Sequence, residues 1–271
     1  MWIKKGIKLI GISLLAITGF LFITMVIIDY KFSRINPNAI YSGCYKVWAH
    51  RGFFKEGLEE NSIESMTKAF ELGAAGTELD VFYDLHLDEY IVSHDFPYRL
   101  KQGRILKLQD VFEKVSQRGY FWLDFKNLQV LSKKDAQKAT LRMLDLLEKF
   151  NLTDKAIIES MNPVNLSIIS RSGLHTSYWI TPEASAENNF FKFWRDIYRT
   201  KLFFLYGKFS ALSMNHYRFS ENIEKRFAHI PIHLFTVNDK KRVMRLVQKK
   251  NVRVILSDEK QFYSEKCKTA D

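Results

Sequence analysis

The sequence is poor in the residues that characterise several non-globular classes of protein. Only 2 of its 271 residues are cysteine and 12 are glycine, which excludes a disulfide-stabilised scaffold and a collagen-like fibre. With 46% hydrophobic and 14% aromatic residues, it also lacks the polar bias of a disordered chain. Zinc-finger spacing, a basic zipper and an RNA-binding aromatic signature are absent, so nucleic acid is not an expected partner. We therefore expect a packed globular domain.

An uncharged apolar run occupies residues 9–28 near the N-terminus. As a helix, this run would be about 30 Å long, which matches the hydrocarbon core of a bilayer. No A-x-A-like cleavage site follows it, which favours an uncleaved transmembrane anchor over a cleaved signal peptide, with a buried core helix as the third alternative. We assign residues 1–30 to the anchor and residues 31–45 to a short tether.

The basic residues around the apolar run predict its orientation. Three lysines precede the run and two basic residues follow it closely, a small excess that predicts a cytoplasmic N-terminus and a periplasmic or extracellular domain. Without the five bases and one acid around this run, the chain has 36 bases and 29 acids, a net charge of +7 that suits an anionic partner or a membrane surface. In an oxidising compartment, Cys44 and Cys267 could form a disulfide between the two ends of the domain, or they are two unrelated thiols.

Residues 46–265 alternate between two kinds of segment, short apolar ones and longer amphipathic ones. Such alternation predicts a parallel sheet with helical crossovers, and eight strands predict a TIM (β/α)8 barrel. The expected strands are 46–50, 77–82, 121–126, 156–160, 175–180, 209–213, 232–237 and 252–257. The expected helices are 62–72, 107–118, 134–150, 163–171, 186–198, 219–228 and 239–250. Residues 90–94 have no helix before them and are interpreted as a hairpin extension of the second strand.

Three carboxylates lie on neighbouring predicted strands. Glu78 and Asp80 are two residues apart and therefore point to the same side of their strand, and Asp124 ends the next strand. Because the active site of a TIM barrel lies at the C-terminal ends of its strands, we expect all three at the barrel mouth. Converging acids need a cation, and all-oxygen ligands favour Mg²⁺ or Ca²⁺ over zinc.

Two histidines and two cations are expected at the same mouth. His50 ends the first strand, and His94 ends the hairpin extension. These histidines are candidates for a general acid and a general base near neutral pH. Arg51 and Lys126 supply positive charge that suits a phosphate group. A metal site, an acid/base pair and two cations together indicate cleavage of a phosphodiester.

Residues 49–95 contain four short motifs in order: HRG at 50–52, ENS at 60–62, GAAGTELDV at 73–81 and HD at 94–95. This segment resembles the glycerophosphodiester phosphodiesterase family, whose pattern is HRG, then ENT or ENS, then G-A-x-x-x-E-x-D-V, then HD. Weaker matches downstream, FWLDFKN, IESMN, LFTVND and VILSD, extend the resemblance over nearly all of the chain after the anchor.

This resemblance implies a TIM barrel and a metal-dependent phosphodiesterase. It gives roles to six residues: acid/base catalysis for His50 and His94, metal binding for Glu78 and Asp80, and phosphate binding for Arg51 and Lys126. Asp124 stands where the family usually has glutamate, and we include it as a third metal ligand. Glu60 and Asn61, a pair that the family places near the metal, either support the site or cap the following helix.

Other features bear on the substrate. The D-x-K form of residues 124–126 is also similar to spider-venom phospholipase D enzymes, which act on lysophospholipids and sphingomyelin. The stretch between Asp95 and Leu108 is short beside soluble bacterial members of the family, so a more open mouth and a larger substrate are expected. Residues 190–208 hold eight aromatic residues and five bases, as either an interfacial membrane segment or an outer helix of the barrel would.

Three functions are therefore compatible with the sequence. The first is hydrolysis of glycerophosphodiesters or related lysophospholipids to a phosphomonoester and an alcohol. The second is phospholipase D-like cleavage of lysophospholipids. The third is a non-catalytic barrel that binds lipid headgroups, which the presence of a complete acid/base pair disfavours.

Overall fold

The apolar segments form the strands of one sheet in the computed structural model, which describes residues 2–185 and 187–262 and, in its first helix, the side chains of residue 13 and of residues from 15 onward. The strands are β1 Val47–Ala49, β2 Gly76–Asp84, β3 Glu89–Val92, β4 Tyr120–Phe125, β5 Ala156–Ser160, β6 His175–Trp179, β7 Ala211–Asn215, β8 Ile232–Phe235 and β9 Val252–Ser257. The helices are α1 Trp2–Ser33, α2 Ile63–Glu71, α3 Leu108–Val115, α4 Lys133–Lys149, α5 Pro163–Arg171, α6 Phe190–Gly207, α7 Glu221–Arg226 and α8 Lys240–Leu246.

Eight of these strands are parallel and close into a barrel. The order is β1-β9-β8-β7-β6-β5-β4-β2, and β1 also pairs with β2 through Ala49 and Thr77. β3 lies antiparallel on β2, with Val81 opposite Val92. The predicted (β/α)8 barrel and its hairpin extension are both confirmed.

Large side chains fill the end of the barrel opposite the mouth. Trp48 and Trp122 are buried inside it, and Ile40 and Tyr41, from the segment before β1, pack against the same cluster. Gly76 fits here because a Cβ atom at this position would lie 2.5 Å from the Trp48 ring. Side chains therefore fill the barrel interior below the mouth, as in other barrels of this type.

Helix starts are capped on the mouth side of the barrel. Six N-cap side chains accept hydrogen bonds from backbone N–H groups of the first helical turn: Ser62, Ser132, Asn162, Asn189, Ser220 and Asp239. These residue types are strong N-caps, and each fixes the point where a loop from the mouth becomes a helix. The outer faces of the strands and the inner faces of the helices share one large apolar core.

Helix α6 differs in both of its ends from the helix predicted over residues 186–198. α6 begins at residue 190, after the Asn189 cap, and continues to residue 207. Its buried face includes Phe193, Ile197 and Phe204, so the helical spacing of apolar residues extends beyond residue 198, where the predicted helix ended.

The N-terminal helix extends past the predicted anchor. α1 continues through Ser33, three residues into the predicted tether, and two residues of that tether, Ile40 and Tyr41, are buried against the barrel. Residues 15–33 form a helix long and apolar enough to cross a membrane, and only 11% of that window is buried. The exposure shows that this helix is not a buried core helix. Cys267, which either forms a disulfide with Cys44 or is an unrelated thiol, lies outside the described residues, as do residues 263–265.

Candidate active site

Three acidic side chains meet at the barrel mouth, two on the part of β2 that pairs with β4 and one near the end of β4. Asp80 and Asp124 are paired in register across the two parallel strands, and Glu78 lies two residues before Asp80 on the same face. Carboxylate oxygens of all three residues lie within 4.8 Å of one another, and the three side chains are buried. The convergence predicted from strand position is therefore present.

Burial and mutual repulsion make the three charges costly. Burial raises the pKa of Glu78 well above its ordinary value, and the charges of Asp80 and Asp124 raise it further. Burial also raises the pKa of Asp124, against the opposing effect of Lys126. A cluster of buried carboxylates in this state fits a hard divalent cation, because such an ion replaces their mutual repulsion with attraction.

Two basic residues offset part of the negative charge. Lys126 Nζ lies 2.6 Å from Asp124 Oδ2 and 2.8 Å from Asp80 Oδ1, and Arg51 Nε lies 2.9 Å from Asp80 Oδ2. Burial lowers the pKa of Lys126, but Asp124 and Asp80 raise it more, so its pKa is above the ordinary value and it stays charged. Both cations therefore adjoin the acidic cluster, and both pair with Asp80.

Asn61 and Glu60 support the site, since Asn61 bonds to Asp80 and Glu60 bonds to Arg51. The Asn61 amide donates a hydrogen bond of 2.8 Å to Asp80 Oδ2, and its side-chain oxygen accepts one from the Asp80 backbone N–H. Glu60 Oε2 accepts a hydrogen bond of 3.0 Å from Arg51 Nη1. The N-cap of α2 is Ser62, so neither residue has the capping role that was the alternative.

His50 is fixed by a residue that the sequence interpretation missed. Its Nδ1 lies 2.7 Å from Asp258 Oδ1, and its Nε2 lies 3.9 Å from Glu78 Oε2, facing the acidic cluster. Asn238 in turn donates a 2.7 Å hydrogen bond to Asp258 Oδ2. Although burial raises the pKa of Asp258, hydrogen bonds from His50 and Asn238 lower it below its ordinary value. Asp258 therefore stays ionised and orients the imidazole.

The position of Asp258 in the sequence could have predicted its contact with His50. It directly follows β9, and β9 pairs with β1, which His50 follows, through Ala49 and Ser257. In a closed barrel the first and last strands are neighbours, so acids after the last strand are candidates for contact with residues after the first.

His94 occupies the rim of the mouth. The Ser93 backbone N–H donates to the carbonyl of Asp80, which places His94 beside the acidic cluster, and its side chain is 37% exposed. Asp95 Oδ1 lies 2.7 Å from His94 Nδ1, and Asp95 Oδ2 accepts a 2.8 Å hydrogen bond from Arg99. Each predicted catalytic histidine is thus oriented by an aspartate through Nδ1.

Glu159 adds a fourth acid that had only been suggested as a pocket residue. It pairs in register with Asp124 on the neighbouring strand β5 and is buried. Burial, with the Asp124 charge as a further cause, raises its pKa well above the ordinary value. Glu159 therefore adds a fourth buried acid next to Asp124 at the mouth.

The sequence matches no family model, and a search of curated proteins finds no relative. Solved structures with the same fold include a glycerophosphodiester phosphodiesterase from Parabacteroides distasonis, with 18% identity, a TM-score of 0.61, and coverage of 83% of this chain and 95% of that one. Another, from Thermotoga maritima, has 23% identity and a TM-score of 0.59 over 80% of this chain and 95% of that one.

A third structure is an Oleispira antarctica phosphodiesterase in complex with the product sn-glycerol-3-phosphate. It has 17% identity and a TM-score of 0.60, over 83% of this chain and 96% of that one. The fold of this chain is thus the TIM barrel of the glycerophosphodiester phosphodiesterases.

Proposed function

We propose that this protein is a metal-dependent phosphodiesterase that hydrolyses glycerophosphodiesters or related lysophospholipids to a phosphomonoester and an alcohol. The observation that carries this proposal is the meeting of three buried carboxylates, Glu78, Asp80 and Asp124, with His50 at one barrel mouth. The product-bound Oleispira structure has the same fold, which supports this class of substrate.

Glu78, Asp80 and Asp124 would hold the metal ion. Their oxygens are close enough to share one cation, and an all-oxygen set favours Mg²⁺ or Ca²⁺. When bound, such an ion polarises a phosphoryl oxygen and offsets the negative charge that develops there. Asn61 keeps Asp80 in position through two hydrogen bonds.

The two histidines carry the proton transfers. One histidine takes a proton from the attacking water as the new O–P bond forms, and the other gives a proton to the leaving alcohol as the old P–O bond breaks. One water is consumed, and the products are a phosphomonoester and an alcohol. Arg51 and Lys126 contact the phosphate and stabilise its charge in the transition state.

The apolar helix anchors the enzyme in a membrane under this proposal. Residues 15–27 of α1 project from the barrel with apolar side chains that the described part of the protein does not cover. Such exposure is costly in water and favourable in lipid. The distribution of basic residues supports a barrel on the non-cytoplasmic side.

Hydrolysis by the detergent-solubilised full chain tests the proposal. Glycerophosphodiesters and lysophospholipids are compared with Mg²⁺, with Ca²⁺ and with EDTA. We expect turnover that needs a divalent ion and is abolished in Asp80→Ala, whereas Asp145→Ala, which removes an exposed acid on α4, keeps it. Absence of turnover on both substrate classes, in protein shown to be folded, would favour a headgroup-binding barrel.

Phospholipase D-like cleavage is the second candidate. The ion pair between Asp124 and Lys126 on one strand end favours it, because the same D-x-K form occurs in the spider-venom enzymes. The same assay separates the two candidates. Turnover of lysophospholipids without turnover of glycerophosphocholine would favour the second.

A further inference from the structure

The C-terminal end of the N-terminal helix α1 packs on helix α6 of the barrel. Asp29 accepts a hydrogen bond of 2.9 Å from the Tyr198 hydroxyl and pairs with Lys201 at 2.6 Å. One turn later, Phe32 is buried and packs edge-to-face on Phe204, with Lys201 Nζ 5.3 Å from its ring centre. Asp29 thus contacts residues 198 and 201 of α6, and Phe32, three residues later in α1, contacts residues 201 and 204. The two helices run side by side in the same direction.

The direction of α6 within the barrel is fixed by its neighbours. It begins after β6 at the mouth, where the N-cap of α7, Ser220, donates to the carbonyl of Ala184. It ends at the opposite face, where Arg171, the last residue of α5, donates to the carbonyl of Tyr206. Because α1 is parallel to α6, the part of α1 before residue 28 extends on the side of the mouth.

The rim of the mouth carries exposed apolar side chains. Phe96 and Leu100 lie on the loop that carries His94, Val130 follows β4, Phe190 and Phe191 begin α6, and Tyr217 follows β7; each is more than half exposed. Exposed apolar side chains that share one edge of a protein are typical of an interaction surface, such as one that binds a membrane.

Exposed bases accompany the rim side chains. The Arg99, Arg195 and Arg218 side chains each pair with an acid, yet they remain 59%, 64% and 45% exposed. Rings beside arginines match a phospholipid surface, with apolar groups for the acyl boundary and bases for the phosphates.

We propose that the barrel mouth faces the bilayer that α1 enters, with the rim side chains inserted among the lipid headgroups, so that the substrate is a lipid phosphodiester taken from that bilayer. The proposal rests on the proposed function for its catalytic step and on the α1–α6 contact for its geometry. Phe190 precedes Tyr198 by eight residues, or about 12 Å of helix toward the mouth. Asp29 contacts Tyr198 and directly follows the apolar run, so it marks the membrane surface on α1. Phe190 and Phe191 lie beyond this level toward the bilayer, at the depth to which interfacial side chains insert.

Photo-crosslinking tests the geometry without reference to catalysis. The full chain is reconstituted in nanodiscs of phosphatidylcholine and phosphatidylglycerol, with p-benzoylphenylalanine at position 191 or, as a control on the same helix, at position 206. We expect lipid adducts, detected by mass spectrometry, at position 191 and not at position 206. Adducts at position 206 alone, or at neither position, would overturn the proposal.

A substrate comparison tests the consequence. We expect Phe190→Ala/Phe191→Ala to lower turnover of a lysophospholipid in vesicles about tenfold relative to turnover of glycerophosphocholine in solution, a ratio set by lost interfacial binding. Leu202→Ala/Tyr206→Ala removes two exposed side chains from the far half of α6 and should keep the wild-type ratio. An unchanged ratio in the first variant would count against docking of the mouth.

The two measurements keep the two proposals apart. Lipid adducts at position 191 without turnover of either substrate would support the docking geometry and overturn the proposed enzyme. Turnover of both substrates without adducts at position 191 would support the enzyme and overturn the docking of its mouth.

Discussion

The His50 ring is held between two acids, Asp258 at Nδ1 and Glu78 near Nε2. General acid/base groups contribute about 10²- to 10⁴-fold to rate. We expect His50→Ala and His94→Ala each to lower kcat by at least about 10²-fold while circular dichroism shows a folded barrel. His86→Ala, which removes an exposed histidine from the β2–β3 turn, should keep wild-type turnover. Near-normal turnover in His50→Ala would contradict its role.

Asp258 acts through His50. We expect Asp258→Asn to lower kcat by about 10- to 100-fold with little change in KM, because the amide cannot fix the imidazole orientation or balance its positive charge. Asp258→Glu should recover part of the loss. Steady-state kinetics check both variants, and a change confined to KM would place Asp258 in substrate binding instead.

His233 makes the stability of the protein depend on pH. It is fully buried inside the barrel, its ring is 5.1 Å from that of Trp122, and burial lowers its pKa from 6.5 to about 3. Below pH 6.5 the unfolded chain binds a proton that the folded protein does not. This residue's contribution to stability is therefore present above pH 6.5 and is lost as pH falls towards 3, by about 1.4 kcal/mol per pH unit.

The variant His233→Leu should remove this contribution. Urea denaturation in detergent between pH 6 and pH 4.5 should give a shallower fall in the free energy of unfolding than the wild type shows. Parallel curves for the two proteins would contradict the buried neutral state of His233.

The contact between α1 and the barrel is an interaction between two elements far apart in the chain. Phe32 packs against Phe204, Phe227 and His229. We expect Phe32→Ala to lower the free energy of unfolding by about 3 kcal/mol, since a buried ring is replaced by a cavity. Phe22→Ala, on the same helix but 68% exposed, should have no such effect in detergent. Equal effects of the two variants would show that α1 is not docked as described.

The sequence predicted elements better than their contacts. The apolar alternation gave all eight barrel strands and the hairpin extension, because strand patterns depend on local side-chain spacing. The end of α6 was predicted too early, and the predicted tether is partly helical and partly buried. In both places a tertiary contact decides: α6 packs along α1, and Ile40 and Tyr41 close the end of the barrel.

For the molecule as a whole, the acidic cluster predicts coupling between metal binding and stability. A divalent ion that binds only the folded protein stabilises it, by about 2.7 kcal/mol when its concentration is a hundred times the Kd. We expect Mg²⁺ or Ca²⁺ to raise the Tm of the full chain in detergent and EDTA to reverse the rise. Asp80→Asn should abolish the rise, whereas Asp145→Asn should keep it. A rise of equal size in Asp80→Asn would place the ion elsewhere.

The sequence by itself determined the barrel and the acidic cluster, because strand periodicity and the two-residue spacing of Glu78 and Asp80 are local properties that survive into the closed sheet. Only the tertiary structure decided that Asp258 meets His50, since that contact needs β9 to pair with β1 across about two hundred residues. It also decided the parallel packing of α1 on α6, which depends on the shapes of two surfaces that no local pattern encodes.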